Sequence, residues 1–323
     1  MSRQRHHIYL FSVILLLVAN ACHFELPEEP NESGVPCTVH GVTSHQSQPI
    51  GALMSTRISD LNELQEMVDF EYVTNAETDL ATVKITHCSG NKQVVSILSE
   101  GISEGDMKDA ARGGLLDKAE LMYCAPYLLS IRYDLFRVFM LARRKYEDFG
   151  ARDVAFYDLA LSSVRNIDSL TLASINPRDT GEKGFINTFN HITAQAFVTT
   201  VFSEELANFI ADSHERLHMP ELITGVFTDS MLIHPHNNPL DNYVDIINNE
   251  WGQEIGKDLK QKYGITKNTV WTPTLLTSYL NDLQVYYTWS MKIGMRPFRE
   301  TDEVIVKFCK KLNRVMSDED FEI

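Results

Sequence analysis

The sequence predicts a mainly α-helical fold, a multi-helix domain with a small β-hairpin near the N-terminus of the mature body. Two observations carry this. From about residue 103 onward, apolar residues recur at helical spacing between recognisable caps. Upstream, "LATVKITHC" and "KQVVSIL" are short β-prone runs separated by "SGN", a turn signal.

The N-terminus precedes the fold proper. Arg3 and Arg5 form a positive region, and Ile8 to Ala19 is apolar but short for a membrane span. "VANAC" follows, and small residues before a Cys resemble a bacterial lipoprotein cleavage site. Residues 1–21 are therefore expected to be a signal peptide, with Cys22 lipidated and anchoring the chain to a membrane of the cell envelope. An ordinary secretory signal is the alternative. Of five cysteines, four then remain, which allows two disulfides or buried free thiols. Net charge is −15, and loss of Arg3 and Arg5 makes it −17, so nucleic acid and anionic lipid are poor partners.

Residues 22–56, rich in Pro, Gly, Ser and Glu, are expected to be a flexible tether. Residues 57–100 form a small α/β element: a helix over "RISDLNELQEMVDF", then the hairpin. Residues 101–323 form the helical domain. Ser103 caps its first helix, and "APYLLSIRYDLFRVFMLARRKYEDFG" predicts one long helix stopping at Gly150. Helices over 184–201, 203–218 and 239–263 follow. Asn238–Pro239 and Thr272–Pro273 each supply a cap and a first-turn proline. A last helix starts near Thr301.

The 239–263 segment is unusual. At about 100° per residue, Leu240, Val244, Ile247, Trp251 and Ile255 make one apolar stripe. Asp245, Asn249, Gly252 and Gly256 make a second stripe beside it, with Asn248 between them. Glu250, Gln253, Lys257 and Lys260 are expected to face solvent. Each interior Gly costs about 1 kcal/mol against Ala, and an unpaired buried amide or carboxyl about 1–3 kcal/mol more. The stripe is thus either a tight helix–helix contact with a satisfied polar network or a pocket wall. His191 and Gln195 flank the apolar face of 184–201, His214 lies at the core edge of 203–218, and Glu215 points more outward.

Residues 214–218 fit H-E-x-x-H, in which two His bind zinc and the Glu activates its water. Pro220 ends that helix early, and a third ligand would come from Glu221, His234, His236 or Asp241. "HPHNN", residues 234–238, reads as a polar loop. Cys88 beside His87 is a structural or disulfide residue, because strand neighbours point to opposite faces.

"FNHITAQAF", "ADSHE" and "DIINNEWGQEIG", in that order, resemble a bacterial helical domain family of unknown function. It occurs in secreted and cell-wall-associated proteins, often at the C-termini of YD-repeat proteins. Its pattern runs F-R-H-A-Y-W-N-A, A-H-E, then M-D-L-x-N-N-x-V-G-R-x-I-G. The match spans about residues 184–257. Ala194, Gln195 and Ser213 depart from the pattern, and an insertion with "HPHNNPLDNY" precedes the last block. The resemblance implies that His191, His214, Glu215, Asp245, Asn248 and Asn249 gather in one helical site, and it brings no reaction. His218 has no counterpart in it.

The expected site is a polar pocket between the helices over 184–201, 203–218 and 239–263. In its metal version His191, His214 and Asp245 hold a divalent ion such as zinc, and Glu215 is the base. Asn248, Asn249 and Gln195 bind. Metal-free acid–base hydrolysis uses the same groups. The competing readings are a non-catalytic envelope protein, whose polar cluster only locks packing, and a zinc peptidase using His214 and His218.

Overall fold

A computed structural model describes residues 38–39, 42–43, 51–74, 81–89, 92–99, 101–169, 177–219 and 239–317. The expected signal peptide, Cys22, most of the tether, Asn238 and the "HPHNN" loop lie outside these residues. The order is β1 (Thr38–Val39), β2 (Val42–Thr43), α1 (Leu61–Met67), β3 (Asp69–Thr74), β4 (Ala81–Ser89) and β5 (Lys92–Ser99). Then come α2 (Glu104–Arg112), α3 (Leu115–Cys124), α4 (Tyr127–Ala142), α5 (Tyr146–Phe149), α6 (Phe156–Arg165) and β6 (Ile167–Ser169). The remainder is α7 (Asn187–Val201), α8 (Glu204–His218), α9 (Pro239–Tyr263), α10 (Pro273–Met291), β7 (Gly294–Met295) and α11 (Glu303–Ser317). The fold is mainly helical, with a small antiparallel sheet, as the sequence predicts. Among the described residues no helix is long and apolar enough to cross a membrane.

Local signals set several boundaries. The Ser103 hydroxyl and Asp106 carboxylate close a capping box on α2. Thr272 accepts from Leu275 N–H, with Pro273 opening α10. The expected long helix over 125–150 is instead broken between Ala142 and Tyr146. Arg143 is extended, and its carbonyl accepts from Lys311 Nζ at 2.8 Å. That buried ammonium takes a carbonyl the helix would have used.

The hairpin gains a third strand. Residues 69–74, of which 69–70 were expected to end a helix, form β3 in a sheet of order β3-β4-β5. Opposed pairs Val83–Leu98, Ile85–Ser96 and His87–Val94 share one buried face. This face packs with Leu61 and Leu64 of α1 on Tyr243, Val244 and Ile247 of α9. The described residues of 57–100 fall in the same unit as the helices, Ser33–Ile323. The tether also ends earlier than expected. Ala52, Leu53 and Met54 are buried, and Leu53 gives both its N–H and its C=O to the Asn248 side chain, each at 2.9 Å. Asn248 mimics a backbone pair and secures an otherwise ladderless segment.

The larger core lies around α7, α9 and α10, where the Phe189 and Tyr287 rings stack at 3.9 Å between centroids. Cys309 is a buried free thiol whose Sγ donates to Trp271 O, so the two-disulfide arrangement does not form.

Gly252 and Gly256 let α7 and α9 approach closely. A Cβ on Gly252 would lie 2.8 Å from Ile192 O, and one on Gly256 2.7 Å from Ala196 O. Propensity alone makes Gly256→Ala stabilising by about 1 kcal/mol. The overlap with backbone predicts a net loss of about 1–3 kcal/mol, read from urea midpoints. A variant more stable than wild type would remove the glycines from this contact.

His87 is fully buried, and neither its ring nitrogens nor nearby Ser96 Oγ finds a hydrogen-bond partner. Burial pushes the imidazole down to about 4 from 6.5, against the pull of Glu254. Between those values the unfolded chain holds a proton that the folded chain does not. This contribution is therefore complete above pH 6.5 and is lost as pH falls through 4. It amounts to about 3 kcal/mol at 1.36 kcal/mol per unit. Melting curves from pH 7 to 4 are expected to show a shallower acid decline in His87→Phe than in wild type. Parallel declines would assign the acid sensitivity elsewhere.

Candidate functional site

The site forms where α7, α8 and α9 meet. His191 is four residues beyond Asn187 on α7, so both present to the same neighbour. Asp245 and Asn249 have the same spacing on α9. On α8, Glu215 continues a line of small residues, Ala207 and Ala211, that lets the helix sit close to its neighbours.

His191 Nδ1 donates to Asn249 Oδ1 at 2.8 Å, and Asn249 Nδ2 donates to Glu215 Oε1 at 3.3 Å. Asn187 Nδ2 donates to Asp245 Oδ1 at 2.9 Å. With its proton on Nδ1, His191 turns Nε2 toward Asp245 Oδ2 at 3.4 Å. In the neutral tautomer that places two acceptors face to face, an arrangement that calls for a proton or a cation between them.

The electrostatics carry the same message. Burial and the nearby Asp245 hold the Glu215 carboxyl well above the usual carboxylate range. Burial pushes Asp245 up to about 6, opposed by His191. Glu215 is only 2% exposed. Two crowded, desolvated carboxyls beside one oriented imidazole make a high-energy set unless positive charge joins them. One ligand atom each from His191, Glu215 and Asp245 lies within 4.8 Å of the others.

The cluster differs in membership from the expected ligand set. Glu215 turns inward and joins His191 and Asp245, whereas His214 turns outward and is half exposed. His214 stays close, its ring centroid 6.5 Å from that of His191. Its Nδ1 donates to Glu104 Oε2 at 2.9 Å. Burial raises the Glu104 carboxyl, but Lys108 and His214 outweigh it and hold the group at about 2. Glu104 comes from α2, more than a hundred residues away, and nothing in the sequence marks it. Asn187 was legible in retrospect, one turn before His191.

Other expected members go elsewhere. Asn248 holds Leu53, as above. Gln195 accepts from Gln253 Nε2 at 3.2 Å and lies outside the cluster. Gln253, expected in solvent, is buried because α8 covers that side of α9. In the H-E-x-x-H reading, the His214 and His218 rings are 5.2 Å apart, but Glu215 points away from them toward Asn249. Asp241 bonds Ser55 at 2.6 Å and Lys183 at 2.9 Å, while Glu221, His234 and His236 lie outside the described residues. Another carboxylate group, Glu204, Glu250 and Glu254, gathers around Lys257 Nζ, which reaches Glu204 and Glu254 at 2.6 Å each.

The chain is thus a mainly helical protein with a buried one-His, two-carboxylate cluster beside an outward His–Glu pair. Comparison with family models, curated proteins and solved structures finds no match for it.

Proposed function

We propose that this protein is a divalent-metal-dependent hydrolase of the bacterial envelope, exported and anchored through lipid on Cys22. The supporting observation is the approach of His191 Nε2 to Asp245 Oδ2 at 3.4 Å while Asn249 occupies Nδ1. His191, Glu215 and Asp245 would hold the ion, and an imidazole with two oxygens suits a hard or borderline divalent cation such as zinc. Bound there, the ion supplies an acidified water. Asn249 orients two of the three ligands, as outer-shell partners of metal sites do.

His214 is assigned as the general base. Glu104 fixes the proton on Nδ1, which leaves Nε2 free to act as an acceptor, on a ring 6.5 Å from that of His191. This role replaces the metal-ligand role expected from the sequence.

The zinc-loaded chain, assayed on p-nitrophenyl ester and phosphoester probes, is expected to turn over at least one. His191→Ala should lose both metal and turnover. His214→Ala should keep the metal and lose about 10²–10⁴-fold in rate. Full turnover by His214→Ala, or by the metal-stripped chain, would contradict these roles.

A second reading has its own support. Asn249 ties α7 to α8 through His191 and Glu215, so the same network serves as a lock in a non-catalytic surface protein. That reading expects neither metal uptake nor turnover, with a large loss of melting temperature on removing Asn249.

A further inference from the structure

We propose that the cleft between residues 148–153 and α11 binds a phosphoryl group, carried by a free small molecule or a lipid headgroup. The cleft measures about 460 Å³, within the range of small-ligand sites. Its walls carry Arg152, Lys307, Lys310, Lys311 and Arg314 against Asp148 and Asp153. With Glu303 at the rim, which reaches Arg152 at 3.6 Å, five cations face three carboxylates among the described residues. Among these residues the balance is about +2 on a chain of net charge −15, so the cleft departs from the prevailing sign of the chain.

The cleft is held in shape. Lys311 Nζ, almost fully buried, donates to Asp153 Oδ2 at 2.7 Å and to the Val154 and Arg143 carbonyls at 2.8 Å each. Arg314 donates to Asp148 O at 2.6 Å, and its guanidinium lies 5.0 Å from the centre of the Phe149 ring. Gly150, at φ +88°, starts a turn closed by Asp153 N–H to Gly150 O at 3.0 Å. Ala151 and Arg152 are its central residues. Their backbone N–H groups have no hydrogen-bond acceptor among the described residues, and Lys310 has no ion-pair partner among them. Unspent backbone donors beside guanidinium and ammonium groups are the chemistry that recognises phosphoryl oxygens, and a dianion balances the local excess.

The test uses calorimetric titration of the full chain with inorganic phosphate, at constant ionic strength against chloride. The comparison is a double variant, Arg152→Glu with Lys310→Glu. Both residues are exposed, so the variant should melt like wild type. Wild type is expected to bind one phosphate saturably and the variant at least tenfold more weakly. Co-sedimentation with phosphatidylcholine vesicles, with and without phosphatidic acid, separates the two sources. Phosphatidic-acid-dependent sedimentation lost in the variant assigns the group to lipid, and phosphate binding without sedimentation assigns it to a soluble ligand. No binding in either arm, or equal binding by the variant, overturns the proposal.

Discussion

Lys311→Ala is expected to destabilise the protein by about 3–5 kcal/mol, the usual loss when one partner of a buried ion pair is removed. Both side chains are nearly inaccessible, at 1% for Lys311 and 2% for Asp153. The ammonium spends its three donors on one carboxylate oxygen and two carbonyls, all of which the variant leaves in the interior. Asp153 keeps only the Lys145 and Val154 N–H groups. Lys311→Met restores the lost volume and should recover part of the difference, which separates packing from charge. Urea denaturation measures both. A loss below about 1 kcal/mol for the alanine variant would mean that water replaces the ammonium without strain.

The second large effect is at Asn249. Asn249→Ala deletes the acceptor for His191 Nδ1 and the donor to Glu215 in one step. The expected loss is about 2–4 kcal/mol in the metal-free protein, since each stranded buried group costs about 1–3 kcal/mol. Metal affinity should fall about 10–100-fold, as it does when outer-shell partners are removed. Asn249→Asp is informative beside it. A carboxylate there still accepts from His191 but crowds a third carboxyl against Glu215 and Asp245, so it should destabilise the metal-free protein more than the metal-loaded one. Equal destabilisation of both forms would detach Asn249 from the proposed cation site.

Much of the architecture was legible because its causes are local. Ser103, Thr272 and Pro273 start helices by satisfying or lacking backbone N–H groups, and β4 and β5 pair as the expected hairpin from Ser89–Lys92 onward. The polar and glycine stripe on α9 was legible too: a side-chain wheel put Asp245, Asn249, Gly252 and Gly256 beside the core, and Gly252 and Gly256 meet α7. What a wheel cannot supply is the neighbour that covers each face. Glu215 and His214 were exchanged for that reason. A long carboxylate reads as solvent-facing, yet Ala207, Ala211 and Glu215 form the buried line of α8, while the apolar Leu217 is exposed. Gln253 was misplaced on the same ground. Lys311 breaks a helix 168 residues upstream by taking the Arg143 carbonyl, and Glu104 reaches His214 across 110 residues. Contacts of that separation leave no periodic trace. The segment at 51–54 has a tether's composition nearby and a core's environment, because Asn248 supplies the pairing its backbone lacks.

The central claim is that His191, Glu215 and Asp245 form a cation site with His214 outside it. Zinc titration of the metal-stripped chain, followed calorimetrically for wild type, His191→Ala and His214→Ala, tests it most directly. One high-affinity ion should bind to wild type and to His214→Ala, and His191→Ala should have lost it. Binding that survives in His191→Ala but vanishes in His214→Ala would place the ion on the other imidazole and contradict the arrangement.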